Sequence, residues 1–266
     1  MTTPANIPSN RFPNGAAYAA SMGQWSRLAG TRFLDWLALP AGLGWLDVGC
    51  GSGAFTRLVL ESAAPTALAG IDPSAPQLAF AREDLAGTMA DLREGDAMAL
   101  PWPDSAFDVA AMALVLFFVP EPQTAVNEMA RVVRPGGTVA SYSWDMANGG
   151  APFQPIAAEL EALGGGTPQT QVEDTDRLAT LTRMWAEAGL DAVETTRFTV
   201  ERPFADFEEY WVNTTRIGRL AANVAALAPA DLMRVKERVR ERLGAPAGGP
   251  MVAAASANAV KGRLPG

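Results

Sequence analysis

The chain has 266 residues, 48% of them apolar and 19% charged, enough for one sizeable domain with a full core and too apolar for wholesale disorder. Its formal net charge of −8 argues against a general nucleic-acid role, because neutralising phosphates takes an excess of Lys and Arg. A single cysteine, Cys50, and the lack of any histidine exclude an internal disulfide, a CxxC metal site and every mechanism that uses histidine as base or ligand.

Residues 1–15 read as a loose polar leader without a charged-then-apolar signal pattern. Trp25, Leu28, Ala29, Phe33, Trp36 and Leu37 fall on one face of a helix, which Pro40, Gly42 and Gly44 end. Residues 45–48 form a short apolar strand that runs into Gly49-Cys50-Gly51-Ser52-Gly53, and a helix with Phe55, Leu58, Val59 and Leu60 follows. Strand 67–71 closes at Asp72-Pro73, helix 75–87 follows, and a weaker strand lies near 89–94. Residues 107–116 are apolar but for Asp108, as in a strand buried on both faces of a sheet. Helix 123–134 stops at Arg134-Pro135-Gly136-Gly137, before strand 138–144. This alternation predicts an α/β fold with a doubly wound, mostly parallel sheet.

Beyond residue 145 the pattern loosens, with a flexible joint at Gly164-Gly165-Gly166, a helix over 175–188 and a strand over 192–200. Two or three helices fill 204–243, and a last strand lies near 251–260. The domain reading is therefore a main domain of 16–203 and 244–266, with 204–243 as a helical lid. The longest apolar run, 109–119, is shorter than the roughly 20 residues a bilayer crossing needs. A cytoplasmic protein with no membrane partner is expected.

Strand, glycine turn and helix together make a site where backbone N–H groups meet a ligand. Gly49, Gly51 and Ala54 satisfy the dinucleotide pattern G-x-G-x-x-A, with Asp72 about twenty residues on, so NAD is a competitor. Other features point away from it. Asp47 just before the turn would repel a pyrophosphate but suits a cationic ligand. Gly53 adds a glycine that the dinucleotide pattern does not ask for. Gly95-Asp96-Ala97 follows the third strand, and Leu100-Pro101-Trp102-Pro103-Asp104 leads into the fourth.

With Leu46-Asp47-Val48-Gly49-Cys50-Gly51-Ser52-Gly53, Gly70-Ile71-Asp72-Pro73-Ser74 and the Arg-Pro-Gly-Gly turn, these segments resemble the ordered motifs of class I S-adenosylmethionine (SAM)-dependent methyltransferases. The likeness covers roughly residues 16–145 and is nearest to the ubiquinone and menaquinone group. It implies a seven-stranded sheet ending in an antiparallel hairpin, with SAM as cofactor, S-adenosylhomocysteine as product and no metal. It further implies that Gly49, Gly51 and Gly53 approach the methionine part, that Asp72 holds both ribose hydroxyls, and that Asp96 with Ala97 meets the adenine. Asp47, Cys50, Pro73 and Met112 would complete the cofactor set. The chain departs from relatives that carry a histidine after the fourth strand, since it reads Leu114-Val115-Leu116-Phe117 there.

Methyl transfer to a small molecule then has to rely on proximity and in-line geometry. Tyr18, Tyr142 and Asp145 are the candidate bases. An apolar or aromatic acceptor is expected to meet Met22, Trp25, Trp144, Phe207 and Trp211, with Arg216 for an acidic substituent. The bland reading of the aromatic residues in 204–211 is core packing. Two other functions compete: an NAD(P)-dependent oxidoreductase, and a SAM-fold protein that transfers no methyl.

Overall fold

The computed structural model describes residues 22–164, 174–216 and 218–266. Seven strands form one sheet in the order β3-β2-β1-β4-β5-β7-β6. In chain order the elements are α1 (Gln24–Leu37), β1 (Gly44–Val48), α2 (Ala54–Ser62), β2 (Ala67–Asp72), α3 (Ala75–Asp84), β3 (Ala90–Glu94), β4 (Phe107–Ala113), α4 (Pro122–Val132) and β5 (Val133–Trp144). There follow α5 (Gln154–Ala162), α6 (Leu178–Glu187), β6 (Asp191–Phe204), α7 (Phe207–Thr214), α8 (Gly218–Ala225), α9 (Pro229–Arg242) and β7 (Met251–Arg263). The first five strands pair in parallel, and β7 lies antiparallel between β5 and β6. This is the doubly wound, mostly parallel sheet that the alternation predicts.

Several boundaries differ from the sequence reading. The fourth strand stops at Ala113 rather than 116, because Leu114 turns the chain with φ 61° and residues 116–118 wind into a 3-10 turn. The Arg-Pro-Gly-Gly segment is not a loop outside the sheet but an irregular stretch of β5. There the register against β4 jumps from Phe107↔Val133 to Val109↔Thr138. Helix α5 was missed, although Pro155 in its first turn is a start signal. The leader 1–15 and Gly165-Gly166 of the expected joint lie outside the described residues.

Apolar side chains cover both faces of the sheet. On one face Trp45, Tyr142 and Trp144 pack with Trp25 and Phe33 of α1, Phe55 of α2 and Tyr210 of α7. On the other, Leu46, Ile71, Met112 and Val260 pack with Met129 of α4 and Trp185 of α6. Trp185 keeps its ring nitrogen satisfied by donating to the Val139 carbonyl at 2.9 Å. With both layers filled, the carboxyl ends of the central strands are where the chain can open a cleft.

Candidate functional site

The cleft opens where the loops leaving β1, β2, β3 and β4 meet α1. The β1–α2 turn is drawn close to the sheet by its backbone, since Gly49 and Cys50 both donate to the Ile71 carbonyl, at 2.7 and 3.0 Å. Gly49 has φ 79°, and a Cβ there would stand 2.5 Å from Val115 Cγ1, so only glycine lets this turn and the β4–α4 loop approach. Next along the wall, Asp72 ties the glycine turn to the start of α3. Its Oδ2 accepts from the Gly51 amide at 2.9 Å and its Oδ1 from the Ser74 amide at 2.8 Å. Burial raises its pKa, and the two amide bonds oppose that shift. Asp96 is exposed at the rim and accepts from the Met98 amide at 2.9 Å.

The structure brings Gly49, Cys50, Gly51, Asp72, Pro73, Asp96 and Ala97 together on the wall of this cavity. It does not bring Asp47, Gly53 or Met112 to it. Asp47 is 2% exposed beneath the glycine turn, where Thr56 Oγ1 donates to its Oδ2 at 2.6 Å. Burial pushes its carboxyl up to about 7; the Thr56 hydroxyl opposes this and the nearby Asp72 charge adds to it. Gly53 has φ 83° just ahead of α2, and a Cβ would stand 3.0 Å from Leu85 and 3.2 Å from Ala81, so this glycine serves the packing of α3. Met112 is fully buried in the opposite core layer.

The Asp96–Ala97 wall continues into a loop fixed by Arg131 of α4. The guanidinium donates to the Leu100 and Trp102 carbonyls at 3.0 and 2.9 Å, and to Asp104 at 2.9 Å. It also grips Glu128 with two bonds, and Glu128 in turn accepts from the Leu100 amide at 2.8 Å. This fork explains the Leu-Pro-Trp-Pro-Asp segment, in which the prolines cannot donate and an external partner holds the carbonyls.

Of the candidate bases, Tyr18 lies outside the described residues. Tyr142 does line the cavity: its ring packs against Phe33 at 4.7 Å and its hydroxyl donates to the Ser26 carbonyl at 3.5 Å. Asp145 is buried but away from the cavity wall, where it pairs with Arg197 at 3.0 Å and accepts from Asn148 at 2.9 Å. There it anchors the turn between β5 and α5.

The expected acceptor residues are not on the cavity wall. Met22, Trp25, Trp144, Phe207 and Trp211 are all buried in one core layer, with Trp25 against Phe204 at 6.2 Å and Trp211 against Phe207 at 6.1 Å. Arg216 is exposed and lines no part of the cavity. No described residue of 204–243 reaches the cavity, so on this side the helices act as core cover. Sequence reasoning missed Ser26, Gln77 and Phe118, which do line it. For Gln77 a signal existed: it sits one turn after Asp72-Pro73, on the helix that leaves the second strand.

Residues 46–141 match the family model described as a methyltransferase domain. The demethylmenaquinone methyltransferase of Bacillus licheniformis is 39% identical over 110 residues, covering 41% of this chain and 47% of that protein. The malonyl-[acyl-carrier protein] O-methyltransferase of Pectobacterium atrosepticum is 33% identical over 129 residues, covering 48% of this chain and 49% of that protein. The chain thus spans about half the length of these curated relatives. Among solved structures, the YcgJ protein of Bacillus subtilis superposes with a TM-score of 0.59 at 17% identity, over 91% of this chain and 99% of that one, a likeness of fold. Over residues 46–141 the chain is therefore similar to a methyltransferase domain.

Proposed function

We propose that this chain is a SAM-dependent methyltransferase acting on a small apolar or aromatic acceptor, with positioning rather than a histidine base lowering the barrier. The observation that carries the reading is the meeting of the glycine turn, Asp72 and Asp96 around one cleft at the carboxyl ends of β1, β2 and β3. The residues present fit SAM. Gly51 puts bare backbone beside Asp72, where a Cβ would meet nothing closer than 3.7 Å, Asp72 offers carboxylate acceptors to hydroxyls, and the Asp96–Ala97 wall offers a polar edge to a base. Among the described wall residues the charged ones are carboxylates, Asp72 and Asp96. That favours a cationic ligand over the pyrophosphate of NAD.

Bound SAM would supply a methyl group on a cationic sulfur, open to in-line displacement. The chain supplies orientation and exclusion of water. Phe55, Leu114, Val115 and Phe118 give the cleft an apolar side, matched to an uncharged acceptor. A demethylmenaquinone methyltransferase among the relatives supports an aromatic acceptor of that kind. Tyr142 lines the cleft, and its hydroxyl is the group proposed to orient the attacking atom. Tyr142→Phe is expected to lower kcat by roughly tenfold with the SAM KM unchanged, and unaltered turnover would remove it from the mechanism. A cytoplasmic setting belongs to the same proposal; among the described residues no helix is long and apolar enough to cross a membrane.

The test is calorimetric titration of the protein with SAM, S-adenosylhomocysteine and NAD, repeated on Asp72→Ala. Micromolar binding of the first two, weakened at least tenfold in the variant and absent for NAD, is expected. An NAD signal, or no SAM binding, overturns the reading.

A further inference from the structure

We propose that the outer edge of β6 is a docking surface for a second copy of this chain, the two β6 strands pairing antiparallel about an axis at Thr199. β6 is an end strand of the sheet and runs for 14 residues, whereas β3 at the opposite end has 5. Long bare edges are a hazard that folds usually blunt. Here the blunting is confined to the two ends of the strand. Ala192, with φ 49°, sits in the register shift between Asp191 and Glu194, and Pro203 has no amide N–H to offer. Between them, outside the ladder with β7, the backbone of 194–201 makes no hydrogen bond among the described residues.

The side chains specify the partner. One face of β6 packs Phe198 and Val200 into the core layer of α1, and the other exposes Arg197, Thr199 and Glu201. A two-fold axis perpendicular to the sheet keeps like faces together, so residues of one face meet the same face of the second copy. With the axis on Thr199, Arg197 meets Glu201 of the second copy, and Glu201 meets the second copy's Arg197. Opposite charges facing each other across a strand pair attract, and like charges repel. On the core face the same register sets Phe198 against Val200 of the second copy, an aromatic against a β-branched side chain. Axes on Arg197 or Glu201 put like charges opposite each other. Axes on Phe198 or Val200 leave both charges facing uncharged residues. Arg197 can serve two partners: its Nε pairs with Asp145 at 3.0 Å, half of the side chain is exposed, and the guanidinium has further donors. The contact closes on itself and joins two seven-stranded sheets into one.

The experiment is sedimentation velocity of the full chain at concentrations up to about 100 μM. Native protein is expected to dimerise, and Glu201→Lys to dimerise at least tenfold more weakly, because each lysine then faces an arginine. Cross-linking in oxidised glutathione checks the register. Two copies of Thr199→Cys would bring their Cα atoms to about 4.5 or 5.5 Å, within disulfide reach. Two copies of Pro203→Cys, equally exposed, would hold theirs about 27 Å apart. A disulfide-linked dimer is expected from the first variant and not from the second. A native protein that stays monomeric, a dimer indifferent to Glu201→Lys, or equal cross-linking at 199 and 203 overturns the proposal.

Discussion

Among the described residues Thr56 alone donates to Asp47, where a buried carboxylate would use several partners. The Thr56 hydroxyl serves Oδ2, and Oδ1 has no hydrogen-bond partner among the described residues. With the carboxyl pushed from 3.8 up to about 7, the native state holds its proton more tightly than the unfolded chain does. Stability from this group is therefore complete below about pH 4 and is lost as pH rises through 7. At about 1.4 kcal/mol per pH unit between those values, the loss at pH 8 is at most about 4 kcal/mol. Asp47→Asn should match native stability at pH 4 and exceed it at pH 8, read by urea denaturation. Parallel curves for the two proteins at both pH values would show that folding leaves the affinity of Asp47 for its proton unchanged. The position of Asp47 in the motif was legible, but its direction was not inferred. Strand alternation contained the answer, since Trp45 and Asp47 share the face of β1 that meets α1 and α2.

Among the elements, what the sequence conveyed best were segments whose turns carry chemistry. Glycine, proline and aspartate at fixed offsets mark where strands end, so β1, β2, β4 and the loops after them were readable in order. Apolar periodicity carried less, because it reports burial without saying what lies on the other side. Trp25, Phe207 and Trp211 look the same in sequence whether they line a pocket or a core. In the structure they fill the core, and Arg240 and Lys236 of α9 stack on Phe207 and Trp211 at 6.0 and 5.5 Å. Glu159 of α5, also buried, pairs with Arg238 and Arg242 of α9, so the helices of 204–243 are tied down by charge as well as by packing. Trp211→Ala should therefore destabilise the protein by about 3 kcal/mol, with SAM affinity unchanged. Calorimetric titration beside urea denaturation separates the two effects, and lost affinity at full stability would restore the lid reading.

At the scale of the whole molecule, labour is divided along the chain. The described cavity wall comes entirely from residues 26–142, while α5 to α9 thicken one face of the sheet or, for α6, the other. The fold class was legible because strand and helix alternate in just that first half, and the resemblance supplied the antiparallel hairpin that the looser second half could not. Gln77, Ser26 and Phe118 were hidden because a cavity wall collects side chains from distant segments, and no window of sequence contains that neighbourhood. The sheet order also governs how such a chain can be made. β7 follows every other strand in sequence, yet it sits between β5 and β6. During synthesis on a ribosome, β5 keeps a bare edge and β6 has no sheet partner until some fifty further residues have emerged. The nascent polypeptide thus passes through an interval in which two open strand edges invite pairing with other chains, and in which a trigger-type chaperone has most to protect.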